Sequence, residues 1–161
     1  RNRVTDLIVF DSSARGCGQS FGCYNSVGRA EYKGVTLAAG HRIGGVTLRG
    51  SLDLQNPRDL TTGNLLARRA KRHGTLGVDT QIAGWSLGGE VQASGERFDN
   101  AANTNRLGGY GLVNLYASTR IARDFTLLAR VDNLADKTYE TARTYAMAGR
   151  SFYVGLKWAP Q

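Results

Sequence analysis

Gly84-Trp85-Ser86-Leu87-Gly88 reproduces the G-x-S-x-G spacing of serine hydrolases. That chemistry needs a strand-to-helix elbow exposing the serine, a histidine base and an acid. Beyond Ser86 the residues alternate apolar and polar as far as Ser94, which predicts a strand where the elbow needs a helix. His41 and His73 are the only histidines in the chain, and neither sits in a ligand cluster. The segment therefore reads as a hairpin turn, with Gly84 bending the chain and Trp85 at the strand end. No catalytic residue, no metal site and no cofactor is expected. Asp53, Asp59, Asp99 and Asp132 lack the spacing of a calcium loop.

Cys17 and Cys23 lie in the glycine-rich stretch ARGCGQSFGCYN. A metal site would need further Cys or His nearby, and none is there. A small loop disulfide is the expectation, which implies an oxidising compartment outside the cytoplasm. Two free thiols are the alternative.

Basic residues form the other candidate chemistry. The 161 residues include 21 Lys+Arg against 13 Asp+Glu, a net charge of +8. The densest run is Arg68-Arg69-Ala70-Lys71-Arg72-His73; other cations are spread one per strand at Arg29, Arg49, Arg120, Arg130 and Lys157. A nucleic-acid footprint needs clustering on one face or aromatic interleaving, so no nucleic-acid partner is expected. A soluble basic β-domain is the reading this sets aside. Arg68, Arg69 and Lys71 precede one strand, and Arg97 and Phe98 follow the next. Both places are loop ends, where cations and an aromatic could grip a phosphate-bearing, amide-rich ligand.

The elements that position these residues are strands. Period-two alternation runs through 46–55, 75–82, 85–94, 111–121, 125–132 and 151–158, each with one apolar and one polar face. Val4–Phe10 and roughly Gly28–Arg42 add two less regular strands, about eight in all. No segment holds a helical period for three turns, and no apolar run is long enough for a membrane helix. Connections alternate between short turns near 43–45, 83–84 and 122–124 and long polar loops at 11–23, 56–64, 97–108 and 133–149. Tight periplasmic turns and long outer loops are the pattern of an outer-membrane β-barrel. The polar faces carry Arg, Asp, Glu and Gln in mid-strand, as a wet lumen would. The apolar faces are too rich in glycine to fill a soluble interior. Tyr24, Tyr110, Tyr139, Tyr145, Trp85, Phe125 and Trp158 fall near strand ends, as in an aromatic girdle.

Asn133-Leu134-Ala135-Asp136-Lys137-Thr138-Tyr139, followed by Gly149-Arg150-Ser151-Phe152 and a last strand to Trp158, resembles the C-terminal signature of TonB-dependent outer-membrane receptors. Ala135 stands where that family usually has Phe, and Ala159-Pro160-Gln161 follow the final aromatic. Residues 56–63, Arg68-Arg69-Ala70-Lys71 and Leu107-Gly108-Gly109-Tyr110 resemble its vitamin B12 (cobalamin) branch. The resemblance implies an all-β, antiparallel transmembrane segment of about eight strands within a 22-stranded barrel. The chain opens on strand-like residues with no initiator Met, and residues 1–161 are expected to be the C-terminal portion of the barrel without its plug. The implied function is outer-membrane uptake of a scarce nutrient, cobalamin first. Arg68, Arg69, Lys71, Arg97 and Phe98 would serve as ligand-binding residues at the mouth. A siderophore or haem receptor is one alternative, and a self-contained eight-stranded barrel with a structural or adhesive role is another. Implied partners are outer-membrane lipid and lipopolysaccharide, the rest of the receptor, TonB through the N-terminal part, and the nutrient. The implied location is the bacterial outer membrane.

Overall fold

A computed structural model describes residues 1–11 and 22–160. Eight strands form one antiparallel sheet: β1 (Asn2–Asp11), β2 (Cys23–Ile43), β3 (Val46–Asp59), β4 (Arg72–Ile82), β5 (Trp85–Ser94), β8 (Tyr110–Ala122), β9 (Phe125–Asp132) and β12 (Ser151–Trp158). Each pairs with its neighbour in chain order. Four short strands, β6 (Arg97–Phe98), β7 (Arg106–Leu107), β10 (Glu140–Ala142) and β11 (Tyr145–Ala146), make two small hairpins inside long loops. No helix is present among the described residues.

Tight turns all lie at one end of the sheet. Gly44 (φ 57°) turns β2 into β3, and Ala83 (φ 49°) with Gly84 (φ 81°) turns β4 into β5. Two successive positive φ angles match the natural twist of a hairpin, which is why a glycine is found there. Arg123-Asp124 turns β8 into β9, and the Ala159 amide donates to the Asp124 carbonyl at 2.9 Å. That bond ties the end of β12 to the same rim.

Register keeps the two faces separate across the whole sheet. One continuous row runs Leu48, Val78, Gly89, Leu115, Val131, Phe152. The row behind it runs Thr47, Asp79, Gly88, Tyr116, Arg130, Tyr153. The apolar rows do not pack on one another in a closed core: Leu76 is 61% exposed and Phe152 is 73% exposed. Among the described residues the buried apolar side chains are instead Ala30, Pro57, Leu66, Ala70, Leu107 and Leu112, all toward the long-loop end.

The eight expected strands are present, with longer reach. β2 begins at Cys23 rather than near Gly28, β3 continues to Asp59 through residues expected as loop, and β4 starts at Arg72. These extensions lie at the long-loop end, where the alternation fades while the backbone ladder continues.

Candidate functional site at the long-loop end

The loop after β3 is shaped by its own polar residues. Asp59 accepts from the Thr61 amide and the Thr62 hydroxyl, both at 2.7 Å, and Gly63 (φ 75°) closes the turn. Burial alone would raise the Asp59 pKa, but the Thr62 and Thr61 hydrogen bonds outweigh it and hold the carboxyl below its usual value. The following segment returns along the wall: the Leu66 amide reaches Pro57 O, and the Gln55 amide reaches Lys71 O.

This loop is locked to the one after β5. Asn103 receives the Leu65 amide at 2.8 Å and returns a bond to Leu65 O at 2.9 Å, a reciprocal pair equivalent to one step of a β ladder. Asp99 Oδ1 accepts Arg68 Nε at 2.8 Å and the Arg143 amide at 3.1 Å. One carboxylate therefore joins three loops. The Arg68 amide also donates to Phe98 O at 2.6 Å.

Within this cluster Arg97 is 6% exposed. Its Nη2 donates to Ser94 Oγ at 2.8 Å, and its guanidinium carbon stands 5.1 Å from the centre of the Tyr110 ring. Tyr110 packs on Tyr139, with ring centroids 4.3 Å apart. Burial, helped by Tyr110, pushes the Tyr139 phenol above its usual pKa. A cavity of about 670 Å³ opens beside Arg97, lined by Lys71, Arg72, Glu96, Phe98 and Arg106 among others.

The structure thus brings Arg68, Lys71, Arg97 and Phe98 into one region. Arg68 is committed to Asp99. Arg69 is exposed and makes no ion pair among the described residues. Sequence reasoning missed Asp99, Asn103, Arg72, Arg106 and the Tyr110–Tyr139 pair as members of the cluster. Arg72 stood within the basic run, and that run was the only signal available for it.

The Asn133–Trp158 motif has a geometric meaning. Asn133 (4% exposed, φ 51°) accepts the Lys137 amide at 2.8 Å and donates to Lys137 O at 2.9 Å, closing a tight turn. Its own amide donates to Asn114 at 3.0 Å, and the Leu134 amide to Val113 O. Asp136 accepts the Arg150 amide at 2.8 Å. A Cβ on Gly149 would lie 2.7 Å from that same Asp136 oxygen, so any larger residue there would displace the carboxylate that receives the Arg150 amide. Phe152 and Trp158 are exposed on the apolar face.

The polar face carries a second network at mid-height. Arg49 pairs with Asp79 at 2.6 Å, and the Tyr116 hydroxyl donates to the same carboxylate across Gly88. Ser86 lies in β5, paired with Gln81 and Ser118, with no elbow behind it. His73 Nε2 is 3.5 Å from Ser94 Oγ, and no metal-binding group of His, Cys, Asp and Glu occurs among the described residues. Cys23 begins β2 and is not free; Cys17 lies outside the described residues.

Residues 1–134 match the sequence profile of a family described as TonB dependent receptor-like, beta-barrel. Among solved structures, the copper transporter OprC superposes with a TM-score of 0.77 at 20% identity, over 98% of this chain and 27% of its own. BauA, the ferric preacinetobactin receptor from Acinetobacter baumannii, gives 0.72 at 22% identity, over 95% and 25%. The FrpB iron transporter from Neisseria meningitidis gives 0.69 at 18% identity, over 97% and 26%. The chain therefore spans about a quarter of the length of these structures, and the likeness is one of fold.

Proposed function

Because the chain belongs to the TonB-dependent receptor-like β-barrel family, whose members are transport receptors of the bacterial outer membrane, we propose that it forms part of the wall and outer mouth of a receptor taking up a scarce nutrient. The apolar face meets lipid and the polar face meets the lumen. The observation that carries the reading is the locked basic and aromatic cluster above the wall, joining three outer loops. Exposed Arg69 and Lys71 supply charge, and Phe98 supplies a stacking surface. Arg68 holds the loops together through Asp99, and Arg97 sits beneath them.

Cobalamin is the first-choice cargo, on the resemblance of residues 56–63 and 107–110 to that branch. It offers a phosphate and many amides to such a mouth. A metal-complex cargo is the second reading, favoured by the copper, ferric preacinetobactin and iron proteins whose folds this chain shares. The remaining barrel strands, the plug and TonB would be the protein partners, with lipid and lipopolysaccharide around the wall.

The test is titration of the intact protein, purified from outer membranes, with cobalamin and with a ferric siderophore. Alanine at both Arg69 and Phe98 should weaken the true cargo about tenfold, as expected for losing one charge-assisted hydrogen bond and one stacking surface. Unchanged affinity for both ligands in the double variant would remove the site from the cargo path.

A further inference from the structure

Arg97 is nine-tenths buried, and no carboxylate of the described residues lies within ion-pair distance of it. Its Nη2 is satisfied by Ser94, and its charge leans on the Tyr110 ring. Its Nε is buried and has no hydrogen-bond partner. A buried cation met only by a hydroxyl and a ring is costly, because neither replaces the hydration it gave up. Lys71, Arg72 and Arg106 line the same cavity, whose one carboxylate, Glu96, is already held by Arg106. The lining is thus strongly positive, and the Arg97 side chain in it carries one buried, unfilled donor.

We propose that this cavity is a binding site for a phosphate-class oxyanion, seated against Arg97 and reached by Lys71 and Arg72. A tetrahedral oxyanion fits better than a carboxylate. It offers three or four acceptor oxygens to donors arriving from different elements, β4, β6 and the loop between β3 and β4. The cavity, at about 670 Å³, exceeds a bare phosphate and has room for a phosphate carried on a larger molecule. Two sources present that chemistry at this height: a lipopolysaccharide headgroup and a phosphate-bearing solute. Arg72 pairs with Leu54 and shares the apolar side with Gly74, whereas Ser94 and Tyr110 stand in the row of His73 on the opposite side. The site lies where the two rows meet above the wall. It shares Lys71 and Arg97 with the cargo reading but holds whichever nutrient is carried.

The experiment uses the intact protein in detergent, stripped of lipopolysaccharide and titrated calorimetrically with sodium phosphate against sodium chloride at matched ionic strength. Phosphate should bind and chloride should not. Arg97→Gln should weaken phosphate about tenfold. Should Arg97→Gln fail to fold, Lys71→Gln with Arg72→Gln alters only exposed side chains and should give a loss of similar size. Absence of phosphate binding, or equal binding by the Lys71→Gln, Arg72→Gln protein, overturns the proposal. Vesicles of phosphatidylcholine doped with diphosphorylated lipid A, compared with dephosphorylated lipid A, then separate the sources. Phosphate-dependent capture assigns the site to lipopolysaccharide; equal capture beside intact phosphate binding assigns it to a solute. Loss of cargo affinity in the Arg69, Phe98 variant with phosphate binding retained keeps the two readings distinguishable.

Discussion

Glu31 is 5% exposed and gathers three cations: Arg1, Arg3 at 3.3 Å and Lys33 at 3.0 Å. It lies on β2 beyond the roughly 9–11 residues that a span needs, counted from the Gly44 turn. Desolvation alone would raise its pKa, but Arg1, Lys33 and Arg3 outweigh this and lower it from the ordinary 4.5 to about 2. A depressed carboxyl contributes stability at pH above its unfolded value and loses it as pH falls toward the folded one. The β1–β2 pairing should therefore weaken between about pH 4.5 and 2. Thermal midpoints of the native protein and of Glu31→Gln, compared at pH 6 and pH 3, check this. The native protein should lose more over that interval, and an identical decline in both would refute the assignment. Little of this residue-scale chemistry was legible in the sequence. Glu31 gains Arg1 and Arg3 across a strand pair, and Arg97 gains its ring from Tyr110, 13 positions on. Local spacing carries no trace of either. Asn133 and Gly149 were recognisable as a motif, but their reason, a shared dependence on Asp136 and the Lys137 turn, exists only in three dimensions.

Strands were the legible scale. Where one face meets lipid and the other water, each residue's side is fixed, and period two is enforced on the sequence. Above the bilayer both faces meet water and the constraint lapses, so β2 and β3 outrun what alternation could mark. The outer hairpins β6–β7 and β10–β11 were invisible for the same reason. On the polar face, Gly88 shows what the register adds. It sits between Asp79 and Tyr116 in adjacent strands, and a Cβ there would lie 2.1 Å from the Tyr116 ring. Gly88→Ala should push Tyr116 off Asp79 and destabilise the protein by about 1–3 kcal/mol, as overpacking does. Urea unfolding would measure it. The penalty should shrink in a Tyr116→Ala background, because the clash and the hydrogen bond disappear together. An undiminished penalty would place the fault in the backbone instead.

At the scale of the molecule, Leu, Val and Phe rows set against acyl chains should tolerate charge far less than the polar rows behind them. Leu76→Arg, in the middle of β4, should destabilise the folded protein by about 2–4 kcal/mol in lipid. Thr75→Arg, one residue away on the polar face, should cost about 1 kcal/mol or less. Equal penalties, measured by denaturant titration in vesicles, would contradict the assignment of faces. The strands and their two faces were readable from alternation and the barrel class from loop lengths and the Asn133–Trp158 motif, whereas the cargo was not. A barrel wall is constrained by lipid along its whole length, but a binding mouth is built from a few side chains supplied by separate loops. The Asp99 and Asn103 clasps show how such loops are brought to act as one body.

The 21 residues of β2 have a further implication. At about 3.3 Å per residue the strand extends roughly 70 Å, and even tilted it overtops an apolar band about 25 Å tall. The rim on that flank stands like a parapet above the cell surface, clear of the lipid headgroups.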